Sequence, residues 1–484
     1  MSELSQSPSL ALHGDQLLED LNPAQRTAVE HRGSPLLIVA GAGSGKTRVL
    51  TRRIAHLLAF GDATPGQILA ITFTNKAAAE MKERVADIVG PAGRTMWVST
   101  FHSACVRILR AEAHRLGVKS NFTIYDTQDS LRLITLILRD FNIDAKNTKP
   151  RMLLSRISSA KNELIDHETF LSNTQLSSDK DAAIESVIAQ VYREYQNRLT
   201  LANAFDFDDL IGSTVALLQL FPEVANMYRR RFRHIMVDEY QDTNHAQYML
   251  IKELVGTVAA SADSPPPGEL CVVGDADQSI YAFRGATIRN IEEFERDYPN
   301  ASTILLEQNY RSTQTILSAA NAVIAKNTSR RAKNLWTDSG DGDLIKVYVG
   351  DDEHDEASFI AREIDRMSDE GISRPADTAV FYRTNAQSRA VEEVFIRTGM
   401  PYKVVGGVRF YERKEVRDIL AYLRTIVNPA DEVSLRRILN TPKRGIGDRA
   451  EAMIGAYAER ERITFFDSLR RAADVPGLAT RSMS

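Results

Sequence analysis

The chain has 484 residues, more than one hydrophobic core accommodates, and roughly two to four domains are expected. Hydrophobic residues at 43% and charged residues at 26% exclude a disordered or fibrous chain, and a net charge of −4, from 60 basic against 64 acidic residues, excludes a broadly basic surface. It leaves room for a local basic channel, which is all that nucleic acid needs. Two cysteines, Cys105 and Cys271, stand without metal-ligand spacing, which excludes a disulfide scaffold and fits a reducing, cytoplasmic compartment. No apolar run reaches membrane-spanning length, and no signal peptide opens the chain.

Residues 1–20 are Ser-rich and acidic and read as a disordered tail. Residues 36–40 are predicted as a buried strand entering a Gly-rich loop, followed by a helix over 48–60. A second strand (67–73), a helix (76–89) and a third strand (96–100) continue an alternation that implies a parallel sheet covered on both faces. From 119 to 205 the pattern turns to long charged helices (129–140, 153–161, 182–199), expected to form an all-helical insertion into the first α/β domain. Strands resume at 235–237 and 270–273, separated by a Pro- and Ser-rich surface loop at 259–268. A second α/β unit is expected to start near 302–306 and to include strands at 345–349 and 378–382. Helices follow at 416–426, 434–439 and 449–462. The expected organisation is therefore a tail (1–20), a first nucleotide domain (21–118 and 206–300), its helical insertion (119–205), part of a second α/β domain (301–410) and part of a second helical insertion (411–484).

The chemistry concentrates in three segments. Ala40, Gly41, Ala42, Gly43, Ser44, Gly45, Lys46 and Thr47 form a phosphate loop between a strand and a helix. Its backbone N–H groups would cradle a triphosphate, Lys46 would reach the terminal phosphates, and the Thr47 hydroxyl would ligate Mg²⁺. Asp238 and Glu239 end an apolar run; one carboxylate can hold Mg²⁺ while its neighbour deprotonates water. An acidic pair after a strand is common by itself, and the phosphate loop is what gives this one meaning. The third segment carries Gln278, placed to sense the γ-phosphate, and then Tyr281, Phe283 and Arg284, two aromatics and a cation suited to stacking on single-stranded nucleic acid. Phe73 with Asn75, Thr100 with His102, and Phe207 also lie at strand ends or helix starts, where ligands of parallel sheets gather. A lone His102 reads more readily as a core histidine. The acids at 206, 208 and 209 read as helix caps rather than metal ligands, and Arg229, Arg230, Arg231 and Arg233 as a solvated helix end. The acidic run at 351–356 is likewise expected to cap the helix that follows it.

Taken together and in order, these residues resemble the superfamily 1 DNA helicases of the UvrD/PcrA/Rep group, from residue 21 onward. The resemblance implies two RecA-like P-loop domains of α/β class, each with an all-helical insertion, using ATP and Mg²⁺. It assigns Gln25 to reading adenine, Arg48 to the nucleotide, Tyr310 to stacking on the base, and Arg311 to the γ-phosphate from the second domain. Lys46, Glu239, Gln278 and Arg311 would be the catalytic set, and Thr47 and Asp238 the metal ligands. Phe73, Asn75, Thr100, His102, Phe207, Tyr281, Phe283, Arg284 and Asn385 would line the path of one DNA strand; Phe283 stands where relatives often carry Trp. The implied function is an ATP-dependent 3′-5′ DNA helicase or translocase in repair or replication restart. Its implied partners are single-stranded DNA, duplex/single-strand junctions and a DNA-repair protein. The family's last two motifs follow the second insertion, inside which this chain ends, so the second domain is expected to be incomplete and turnover by this chain slow. A DNA- and ATP-binding module without motor activity and the helicase part of a helicase–nuclease are the alternatives.

Overall fold

Six apolar runs make one parallel sheet. They are β1 (Leu36–Ala40), β2 (Ile68–Thr72), β3 (Trp97–Thr100), β6 (His234–Val237), β7 (Glu269–Gly274) and β8 (Ser302–Leu306), in the order β3-β2-β6-β7-β1-β8. A separate two-stranded parallel pair joins β4 (Thr123–Ile124) to β5 (Ala204–Phe205). The structure is a computed structural model describing residues 14–144, 146, 148–176, 182–256, 264–281, 289–327, 333–405 and 413–478. Its two compact units are Met1–Asp341 with Ala421–Ser484, and Gly342–Leu420.

In the first unit the period-two alternation of strand side chains divides the core in two. Leu37, Val39, Leu69, Ile71, Ile235, Val237, Leu270 and Val272 face one side of the sheet. There they pack against α4 (Phe101–Glu112), α9 (Phe207–Leu220), α10 (Pro222–Arg231) and α11 (His245–Val255). Leu36, Ile38, Ala40, Ile68, Ala70, Met236, Cys271 and Val273 face the other side, against α1 (Pro23–Glu30), α2 (Lys46–Ala59) and α3 (Asn75–Val89). Burial on both faces is why the strands read as unbroken apolar runs.

Four helices, α5 (Thr127–Asp140), α6 (Pro150–Asn162), α7 (His167–Leu176) and α8 (Ala182–Leu201), enclose a third core around Leu133, Ile137, Leu153, Ile157, Tyr195 and Leu199. The strand β8 is flanked by α12 (Arg289–Asp297) before it and α13 (Gln314–Ile324) after it. From Ala421 onward the C-terminal helices belong to the first unit as well. They meet the α5–α8 layer through buried polar bonds. The Tyr125 hydroxyl donates to Asp431 at 2.8 Å, Asn428 Nδ2 donates to the Ala202 carbonyl at 2.8 Å, and Arg424 pairs with Asp129 at 2.9 Å.

Three expectations need correction. Residues 302–306 do not open a second sheet: β8 pairs with β1, from Leu36 opposite Ser302 to Ala40 opposite Leu306, and forms an edge of the first. Alternation identifies a strand but carries no information on which sheet receives it. The end of the supposed tail is also ordered, because Leu17 and Leu18 insert into the second core and Asp20 pairs with Arg48 and Arg52. In the second unit, 345–349 and 378–382 join no ladder among the described residues, and Val347, Val349 and Phe381 stay exposed. A strand needs a partner backbone, and none of the described residues of this unit supplies one. The unit rests instead on α14 (Glu353–Asp369) against α15 (Ser388–Thr398), with Ala361, Ile364, Val394 and Phe395 between them. Asp352 caps α14 by accepting from the amides of His354 and Asp355, as the acidic run suggests.

Candidate functional site

The phosphate loop leaves β1 at Ala40 and enters α2 at Lys46, with Gly43 and Gly45 at φ +68° and +85°. A Cβ at Gly45 would stand 2.9 Å from the Gln25 amide, and one at Gly43 would collide with Asn309. Only glycine permits both the backbone angle and the approach. The fully buried Gln25 donates from Nε2 to the Ser44 carbonyl at 2.9 Å, and its partner in the capping box, Asn22, donates to the Tyr310 hydroxyl at 2.9 Å. The segment after β8 lies directly on the loop: Asn309 Nδ2 donates to the Ala42 carbonyl at 2.5 Å and the Tyr310 amide to the Gly43 carbonyl at 2.9 Å.

Acid and base meet at the ends of β1, β6 and β7. Lys46 Nζ lies 3.0 Å from Glu239 Oε2 and 3.4 Å from Gln278 Oε1. Glu239 occupies the left-handed region at φ +51°, an uncommon conformation for a side-chain-bearing residue, in the turn that follows β6. Gln241 clamps the turn: its Nε2 donates to Glu239 Oε2 at 2.8 Å, and its Oε1 accepts the Asp275 amide at 2.9 Å. Asp275 in turn accepts from Gln278 Nε2 at 2.5 Å. Asp238 is buried close to the Thr47 hydroxyl, which favours its ionised form. Burial and the adjacent Glu239 charge push Asp238 up to about 6 against the pull of Lys46. A buried carboxylate in this state, beside a hydroxyl and facing a phosphate loop, fits a divalent cation, whose charge would restore its ionised form.

A second constellation lies at the ends of β2 and β3. Phe73, Asn75, Thr100, His102 and Phe207 line a groove of about 560 Å³. Thr100 caps α4 by accepting the Ser103 amide at 3.3 Å, which fixes the start of that helix. The His102 ring meets Phe207 edge-on at 5.6 Å, and burial lowers its pKa, so it is a neutral wall. Tyr281 packs on Phe73 with ring centroids 5.1 Å apart. Ser103 and Arg107 also line the groove, and Arg107 stands 3.9 Å over Trp97. Their signal was available: with His102 and Val106 they form one face of α4.

Two family models match the chain, a UvrD/REP helicase N-terminal domain over residues 21–299 and a UvrD-like helicase C-terminal domain over 304–473. The chain belongs to the UvrD/REP helicase family. Among its relatives, ATP-dependent DNA helicase UvrD1 of Mycobacterium tuberculosis (strain ATCC 25618 / H37Rv) is 65% identical over 472 residues, 97% of this chain and 60% of the relative. UvrD1 of Mycobacterium leprae (strain TN) is 64% identical over 474 residues, again 97% of this chain and 60% of the relative. PcrA of Bacillus subtilis (strain 168) is 50% identical over 468 residues, 97% of this chain and 61% of the relative. The chain thus spans about 60% of the length of the curated relatives it matches.

In this member of the UvrD/REP family the remaining expected residues fall as follows. Arg311 is exposed, with its Cβ close to Gly43, and no ion pair holds its guanidinium among the described residues. It shares a compact unit with the phosphate loop rather than reaching it from another. Arg48 is engaged with Asp20 at 3.4 Å. Asn385 lies in the second unit, at the edge of an apolar groove of about 930 Å³ lined by Phe381, Tyr382, Phe395 and Met400. Phe283 and Arg284 lie outside the described residues. The arginines at 229–233 are structural: Arg229 pairs with Glu253 at 3.0 Å and Arg231 lies 4.8 Å over Trp97. One residue carried no sequence signal, the buried Lys333, which pairs with Asp275 and, at 2.8 Å, with Asp277 beneath Gln278. No cluster of three metal-ligating side chains occurs among the described residues. No single described helix is long and apolar enough to cross a membrane.

Proposed function

We propose that this chain is the ATP- and DNA-binding part of a cytoplasmic 3′-5′ DNA helicase that acts in DNA repair or replication restart. The observation that carries the reading is the contact of Lys46 with both Glu239 and Gln278 beside the phosphate loop. A nucleotide store needs the loop alone; a base held beside the phosphate lysine is a requirement of hydrolysis.

The residues take the following roles. Backbone amides of Gly41 to Thr47, with the N-terminus of α2, bind the phosphates. Lys46 exchanges its Glu239 partner for phosphate oxygens, which frees the Glu239 carboxylate to orient water and take its proton. Gln278 and Arg311 read the γ-phosphate, Gln25 the adenine, and Tyr310 stacks on it. Thr47 and Asp238 would hold Mg²⁺, which supplies charge neutralisation to the phosphates. The aromatic groove holds single-stranded DNA or the single-strand side of a junction by stacking, and Arg107 adds a cation at its edge.

The test compares Lys46→Ala and Glu239→Gln with the parent in DNA-stimulated ATP hydrolysis and in strand separation of duplexes tailed at either 3′ or 5′ end. Slow DNA-stimulated ATP hydrolysis, lost in both variants, is expected, with any ATP-dependent opening confined to the 3′-tailed duplex. Single-strand binding without any DNA-stimulated hydrolysis in the parent would assign the chain to a binding module instead.

A further inference from the structure

The acids that open α9 form an arrangement that capping alone does not require. Asp206 Oδ1 accepts the Asp209 amide at 2.8 Å, and Asp209 Oδ2 accepts the Asp206 amide at 3.2 Å, a reciprocal cap. That leaves one oxygen of each carboxylate. Both point at a single buried cation: Lys161 Nζ, at the end of α6, lies 2.7 Å from Asp206 Oδ2 and 2.8 Å from Asp209 Oδ1. From α8 the Tyr195 hydroxyl donates to the same Asp206 oxygen at 3.0 Å, and Gln196 Nε2 donates to Asp209 at 3.3 Å. A lysine this buried is rare, and a buried ion pair contributes little stability over a well-packed apolar substitute. What it adds is direction.

Phe207 sits inside this cap, as the first residue of α9. It is 47% exposed, so no core packing fixes its ring; the ring's bearing on His102 comes from the backbone of that first turn. We propose that Lys161, seconded by Tyr195, is a positioning residue for the single-strand groove: it clamps the first turn of α9 to α6 and α8 and so presents Phe207 opposite His102. Lys161 does not itself touch DNA, because its side chain is buried, its ammonium is bonded to two carboxylates and it lies over the Tyr195 ring at 5.0 Å. The inference rests on the groove being the DNA site.

The test measures binding of a fluorescein-labelled oligothymidylate by anisotropy, in the 484-residue chain, for Lys161→Met, Phe207→Ala and the double variant. Phe207→Ala is expected to weaken binding about tenfold, the loss of one stacked base. Lys161→Met is expected to lose about fivefold by itself and nothing further in the Phe207→Ala background, since it acts only through that ring. The slope of log K against log salt should be the same as in the parent. Additive losses in the double variant, or a slope smaller by about one, would overturn the inference; the latter marks a phosphate contact. Phe207→Ala binding as tightly as the parent would instead bring down the groove reading itself. If Lys161→Met does not melt as a folded protein, Tyr195→Phe carries the test. A loss of about twofold to threefold, absent in the Phe207→Ala background, is expected. Unchanged binding by Tyr195→Phe would overturn the proposal.

Discussion

Two sites share one edge of one sheet and are built on opposite principles. At the ends of β1, β6 and β7 the chain has tied each polar group to the next, from the half-buried Lys46 and Glu239 through Gln241 to the buried Asp275 and to Gln278. At the ends of β2 and β3 it has left aromatic rings half open, Phe73 against Tyr281 and His102 against Phe207. The difference follows from the ligand chemistry. Phosphoryl transfer rewards charges fixed in advance in a low-dielectric setting, where a small displacement is expensive. Stacking on a strand of any sequence needs flat surfaces and tolerates movement.

Breaking the charged side should therefore have the larger effects. Glu239→Gln is expected to lower DNA-stimulated ATP turnover by about a thousandfold while leaving oligonucleotide affinity within about twofold, measured by phosphate release and by anisotropy. Comparable damage to both readouts would mean that the two sites are not separable. Gly43→Val, which forces a branched residue to φ +68° and into Asn309, should weaken nucleotide binding by about a hundredfold, as read from a fluorescent ATP analogue. On the groove side, Phe73→Ala should cost about tenfold in single-strand affinity, with nucleotide affinity unmoved.

The smallest effect concerns pH. Asp238 is raised in the folded chain to about 6, above its ordinary value near 3.8, so the native state holds the extra proton. Its contribution to stability is full below the unfolded value and is lost as pH rises through about 6. Asp238→Asn should accordingly raise the melting temperature of the nucleotide-free chain at pH 8 by about 2 °C and flatten the pH dependence between about 4 and 6. It should also abolish the added stabilisation from Mg²⁺ with nucleotide. A variant that melts below the parent at pH 8 would show that the carboxylate is not strained there.

The charged site was more legible in the sequence than the architecture around it. Phosphate loops and strand-terminal acids are local: a few consecutive residues fix the backbone, and Lys46, Asp238 and Glu239 declare themselves by type and spacing. Strands of the first sheet were legible because burial on both faces leaves no polar interruption. Pairing was not. Residues 302–306 and 378–382 look equally strand-like, yet one joins β1 and the other joins nothing described, because ladder formation depends on which backbone arrives alongside. Long-range polar contacts were equally silent. Nothing near Lys161 or Lys333 announces a partner, since each finds its carboxylates in a segment distant along the chain.

The clasp between the phosphate loop and residues 309–310 has a mechanical meaning. A peptide link is planar, so an anchored carbonyl fixes the heading of the next residue's amide hydrogen. With the Ala42 oxygen held by Asn309 and the Gly43 oxygen by Tyr310, the links of the loop's tip cannot swivel, and each amide hydrogen points opposite its tethered oxygen. The anion receptor is thus aimed from behind, by a strand of chain that a glance at the glycines alone would never implicate.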